Sequence, residues 1–136
     1  APDDAVTYDN LEAMAAYTRD FSRACGAVVA VSGAIDLVSD AEHTYVISNG
    51  HRLMAGITGS GCMLSAVTAA YLAANPDDRL GAVAAAFAMF GLAGKLAAER
   101  AEAEGVGNAT FSNYLIDAVS TMDADTLNRG ALYELL

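Results

Sequence analysis

The sequence has two cysteines, Cys25 and Cys62, in 136 residues. That is too few for a disulfide scaffold, and their spacing fits no metal motif. Reduced, cytoplasmic surroundings are expected. Basic residues are also scarce: Lys and Arg total 7 against 17 Asp and Glu, a net charge of −10. A chain this acidic has no footprint for nonspecific binding to nucleic acid or to an anionic membrane. A local anion site stays open to it, because backbone N–H groups need no net charge. HxxxH, CxxC and paired-His spacings are missing, so no metal site is expected from this chain alone. No signal or transit peptide is visible. The apolar stretches around 63–74 and 80–98 are Ala-rich and cut by Gly, Lys or charge, so they read as core helices and not membrane spans. The chain opens on Ala1 instead of Met, as expected of a processed chain or a piece of a longer one.

What is present describes a folded unit. Hydrophobic residues are 54% and charged residues 18%, which excludes disorder as the main state. The length fits one domain or part of one. After a polar lead-in over 1–7, helical spacing of Leu11, Met14, Ala15, Thr18 and Phe21 predicts a helix over 10–24, capped by Asp9 or Asn10. Residues 27–31 form a short β-branched run, expected as a strand buried on both faces of a parallel sheet. A second extended piece covers 35–39. Residues 44–48 and 52–55 flank Asn49-Gly50, a signal for a hairpin.

The second half is helical. One helix is expected from Gly59–Gly61 to Ala74, apolar nearly all round and therefore central. Asn75-Pro76-Asp77-Asp78 breaks it and caps a helix over 79–104. There Val83, Phe87, Phe90 and Leu96 face the core, and Gly91 and Gly94 admit close approach of another backbone. Gly105 stops that helix. Helices over 110–121 and from Asp123 follow. No internal repeat is found.

Chemistry concentrates at Thr58-Gly59-Ser60-Gly61-Cys62. Two glycines between an extended segment and an apolar helix aim free N–H groups at one point, where the helix dipole adds about half a positive charge. Such a turn holds an anion, especially a phosphate, or simply starts a helix. It is no P-loop, since the lysine is absent. Cys62 falls in the first turn, where the dipole favours a thiolate able to accept a proton or attack an electrophile; the alternative is a small packing residue. Cys25 reads as a core residue. Ser32-Gly33 ends the first strand, where ligands of open α/β sheets gather, although a plain strand-ending turn is the simpler account. His43 and His51 read as turn or surface residues, Asp36 and Asp40 as turn and strand-edge residues, and the acidic run 99–104 as a solvated helix face.

The order Val28-Val29-Ala30-Val31-Ser32-Gly33-Ala34-Ile35-Asp36, then Asn49-Gly50-His51-Arg52-Leu53-Met54, then Ile57-Thr58-Gly59-Ser60-Gly61-Cys62, resembles the hydroxyethylthiazole kinase family. That family reads VVAVTGxxD, NGHxLM and TGxGC at the same spacing. The likeness continues through the Ala-rich helices to Gly105-Val106-Gly107 and Phe111, which look like its GPGSF segment. Cysteine at 62 separates this family from ribokinase-like relatives that carry Asp there. The resemblance implies an α/β, ribokinase-like fold, with 1–136 a single partial domain matching its C-terminal half. It implies ATP- and Mg2+-dependent phosphorylation of the primary alcohol of 4-methyl-5-(2-hydroxyethyl)thiazole in thiamine salvage, by a homotrimer. Carried over by position, Cys62 is catalytic, Gly59 lies at the substrate, Gly59, Ser60 and Gly61 hold the transferring phosphate, and Ser32 contacts ATP in place of the usual Thr. The Mg2+ ligands would come from the missing N-terminal half or a partner chain. Another ribokinase-like vitamin kinase, a nucleotide-repair enzyme, or a noncatalytic half that binds nucleotide are the alternatives.

Overall fold

The computed structural model describes residues 5–136. Most of the expected polar lead-in lies outside them, but Val6 is buried against Ile35, Leu37 and Val46. Helix α1 spans Leu11–Cys25 and ends on Gly26 in the left-handed conformation. Strands β1 (Val29–Val31), β2 (Asp36–Ser39) and β3 (Thr44–Ile47) follow. A 3-10 turn covers Arg52–Gly56. Helices α2 (Ser60–Ala74), α3 (Arg79–Glu104), α4 (Asn108–Thr121) and α5 (Ala124–Gly130) complete the α-rich half, and β4 (Tyr133–Leu135) closes the chain.

The sheet runs β1-β2-β3-β4 and every pairing is antiparallel. This corrects the parallel reading of 27–31. β1 is an edge strand and Ala30 is exposed. The strand buried on both faces is β2, all four of whose residues are buried. Side chains alternate across a strand. Leu37 and Val46 therefore face α1, in a cluster with Leu11 and Met14. Val38 and Ile47 face α3, against Val83, Ala84 and Phe87. The hairpin closes elsewhere than expected. Asp40 joins β2 to β3 by accepting the N–H groups of Glu42 and His43 at 2.8 and 2.7 Å. Asn49-Gly50 closes no hairpin, because 52–56 coils into the 3-10 turn instead of returning as a strand.

α1 meets the sheet through hydroxyls. Its buried residues are Ala15, Thr18 and Ser22, whereas Phe21, which shares the helical spacing, is 53% exposed. Thr18 Oγ1 lies 2.7 Å from Ser39 Oγ, which lies 2.8 Å from Thr44 Oγ1. Each buried hydroxyl is thereby satisfied, and burial without such partners would be costly. Cys25, expected in the core, is exposed at the helix end.

The central helix is α3, not α2. It buries a continuous series from Ala82 to Gly94, interrupted only at Ala85, and continues at Ala97, Ala98 and Ala101. By length and composition it could cross a membrane, but 72% of that window is buried within the protein. Leu96, expected inside, is exposed. One cluster joins α3 to Phe111 and Leu115 of α4, with Met63, Leu64 and Val67 of α2 packed against it. α2 itself has no buried residue among those described. Its Gly61, Cys62, Ser65, Ala66, Ala69, Ala70, Ala73 and Ala74 form an exposed stripe.

Gly91 has the role its sequence position suggested. A Cβ there would come within 2.7 Å of the Asn49 backbone carbonyl carbon and oxygen. Asn49 is itself a clamp: its side chain donates to Gly130 O at 2.9 Å and accepts from the Leu132 N–H at 2.7 Å. Gly91→Ala must push this clamp outward, and overpacking of that kind costs about 1–3 kcal/mol. A lowered midpoint in thermal unfolding, with the α5–β4 segment exchanging amide protons faster, is the expected result. An unchanged midpoint would show that the helix and loop separate freely.

Candidate functional site

Three loops converge on one cavity of about 620 Å³. The first carries Ser32 and Gly33 at the carboxyl end of β1; the second carries Asn49 and His51; the third carries Ser60 and Gly61 at the start of α2. Phe87, Phe90 and Gly91 of α3 form its floor.

The third loop is built for free donors. Gly59 precedes α2 with φ 93°, a left-handed conformation that favours glycine. The first intrahelical bond runs from the Met63 N–H to Gly59 O at 3.0 Å. The N–H groups of Ser60, Gly61 and Cys62 precede it and have no partner one turn back. No side chain caps this end among the described residues. Ser60 and Gly61 border the cavity, while Cys62 is exposed on the outer stripe of α2 beside them.

The first loop is held by Asp36. The Gly33 N–H donates to Asp36 Oδ1 at 2.8 Å. Sequence reasoning passed over Asp36 as a strand-edge residue, yet it is buried and borders the cavity. The available signal was its place at the end of a strand-turn segment, three residues past a glycine. Burial raises its carboxyl from 3.8 to about 6, against the lowering effect of the Gly33 bond. A raised native pKa means that the folded chain holds the proton more tightly than the unfolded one. The stability contribution is therefore present below pH 3.8, falls as pH rises through the window to about 6, and stays lost above it. Asp36→Asn keeps the acceptor and removes the charge. It should raise unfolding free energy at pH 8 by up to about 3 kcal/mol, with the two proteins converging near pH 4. Denaturant titrations at the two pH values check this; a constant difference would mean that Asp36 ionises freely.

His51 caps the 3-10 turn, accepting the Leu53 N–H at its Nδ1 at 3.3 Å, and it too borders the cavity. His51 and Arg52 both approach Glu102 of α3, at 3.8 and 2.9 Å. His43 and Asp40 lie apart from the cavity in the β2–β3 turn. Among the described residues no group of three or more His, Cys, Asp or Glu side chains could hold a metal ion. The arrangement as a whole offers backbone donors, the hydroxyls of Ser32, Ser48 and Ser60, the side chains of His51 and Arg52, and an apolar floor. That suits a ligand with an anionic end and a flat or aliphatic body.

Known proteins share this framework. The model of the hydroxyethylthiazole kinase family matches residues 4–125. A hydroxyethylthiazole kinase of Clostridium acetobutylicum is 43% identical over 131 residues, covering 96% of this chain and 48% of that protein. Hydroxyethylthiazole kinase 2 of Methanosphaera stadtmanae is 36% identical over 134 residues, covering 98% of this chain and 47% of its own length. The solved structure of a hydroxyethylthiazole kinase protein from Pyrococcus horikoshii superposes with a TM-score of 0.84 at 30% identity, over 94% of this chain and 48% of that one. The chain spans about half the length of the curated relatives it matches. With the family's match running from the segment before α1 into α5, and the same fold in a solved relative, this chain belongs to the hydroxyethylthiazole kinase family.

Proposed function

We propose that this chain is the C-terminal half of a cytoplasmic, homotrimeric kinase of ribokinase-like fold. It transfers the γ-phosphate of ATP to the primary alcohol of 4-methyl-5-(2-hydroxyethyl)thiazole in thiamine salvage. One observation carries the reading: the carboxyl end of β1 and the N-terminus of α2 border the same cavity. A nucleotide at Ser32 would then present its phosphates to the N–H groups of Ser60 and Gly61.

Phosphoryl transfer asks for charge stabilisation and alignment more than for covalent chemistry. In this reading Gly59, Ser60 and Gly61 supply the first, as donors fixed before the reaction starts. Gly59 also lies at the substrate, where its lack of a side chain leaves room for the alcohol. Cys62 aligns the hydroxyl and accepts its proton late, as the new bond forms. The Ser32 hydroxyl contacts ATP. The described residues offer Mg2+ no group of three or more His, Cys, Asp or Glu ligands. The ion would take its ligands from the remainder of the enzyme.

That remainder has surfaces to cover. Among the described residues no strand pairs with the outer edge of β1. The α2 stripe is exposed, and so are Tyr17 and Phe21 of α1. The test is ADP release by the full-length protein with thiazole alcohol, pyridoxal and hydroxymethylpyrimidine. Thiazole alcohol should be the preferred acceptor. Faster turnover of either other alcohol would move the protein to a sibling vitamin kinase.

A further inference from the structure

We propose that Asp36 is a positioning residue for the nucleotide, fixing the Ser32–Gly33 turn so that the Ser32 hydroxyl meets its ligand. This rests on the kinase reading above. The β1–β2 ladder pairs Val31 with Leu37, and the loop 32–35 lies beyond its end. Ser32, Gly33 and Ala34 are all exposed on the cavity wall. The bond from the Gly33 N–H to Asp36 Oδ1, at 2.8 Å, ties this loop back to the sheet.

The anchor end is rigid. Asp36 is 8% exposed and opens β2, where it pairs with Ile47. Strand alternation puts it on the same face as Val38, the face covered by α3. A carboxylate in such a position is an unfavourable way to fill space, because burial disfavours its charge. It is a good way to hold one backbone N–H, since an ionised acceptor makes the stronger bond. With that bond in place, Ser32 is presented at the carboxyl end of β1 in one orientation. Without it, the loop must be ordered by the nucleotide itself, which weakens binding.

The experiment uses the full-length protein with Asp36→Ala and Asp36→Asn. Mg·ADP affinity is measured by titration calorimetry, and KM for ATP, KM for thiazole alcohol and kcat by coupled assay. Asp36→Ala should raise the ADP Kd and the ATP KM about tenfold, as expected for losing one charge-assisted bond. The KM for thiazole alcohol should stay constant, and kcat should change far less than the ATP KM. Asp36→Asn, whose amide oxygen still accepts from Gly33, should restore nucleotide affinity. Wild-type nucleotide affinity in the alanine variant overturns the proposal. So does an asparagine variant as weak as alanine, or an equal loss in every kinetic constant. A wild-type protein that binds ADP but phosphorylates no thiazole alcohol sinks the kinase reading alone, and the variants' ADP affinities still decide the role of Asp36. A wild-type protein that binds no ADP overturns the positioning role as well.

Discussion

On the proposed kinase reading, Cys62→Ala in the full-length protein is expected to cut kcat by at least about 100-fold while KM for both substrates moves by less than about threefold. An aligner and late proton acceptor acts in the transition state and contributes little to ground-state binding. Cys62 is the third residue of α2 and directly follows Ser60 and Gly61, which border the cavity. It is also exposed. Loss of an exposed side chain costs little stability, within about 0.5 kcal/mol for ordinary surface positions. Unfolding therefore cannot stand in for a catalytic loss, and a thermal scan of the variant separates the two. Cys62→Asp should keep substantial activity, since a carboxylate at this point can also orient an alcohol and take its proton. Full turnover by the alanine variant would reduce Cys62 to a spacer at the helix start.

The 136-residue chain alone should show less than about a thousandth of the full-length turnover with Mg·ATP and thiazole alcohol, because the phosphate charge must be neutralised for transfer to proceed. Its described residues include no group of three or more His, Cys, Asp or Glu side chains to hold the cation that does so. The same chain should associate. Tyr17 is 66% and Phe21 53% exposed on α1, no strand among the described residues pairs with the outer edge of β1, and on α2 a small-residue stripe is exposed as well. Unpaired edges and contiguous apolar faces recruit other chains. ADP release reports the first property, and sedimentation velocity at rising concentration reports the second. A monomer with turnover comparable to the full-length enzyme would show that this half is complete.

Much of this could be read from residues alone, wherever the cause is local. α3 begins after Asp78, whose side chain accepts the Gly81 N–H, and ends at left-handed Gly105, both as expected from capping chemistry. α2 starts at Ser60 because Gly59 can adopt φ 93°. The turn that opens this helix with free N–H groups was legible for the same reason: Gly59 dictates its backbone geometry. Gly91 was legible as a close-approach site, though the partner backbone, at Asn49, lies 42 positions away in the chain and was not.

Tertiary structure decided the rest. The run 27–31 is apolar enough for a doubly buried strand, but in this chain it is an edge, because layer position depends on what packs beyond it. Phe21 lies outside and Thr18 inside, since Ser39 and Thr44 arrive from the sheet to satisfy the hydroxyl. Apolar periodicity cannot foresee such a network. α2 is apolar all round yet lies at the surface, while α3 occupies the centre, because only α3 has the length and the glycines to touch sheet, loop and α4 together. Asp36 shows the same limit at the site. Its type and position were plain, but its role depends on which face of β2 it takes, and a strand's facing is set by the layers that cover it.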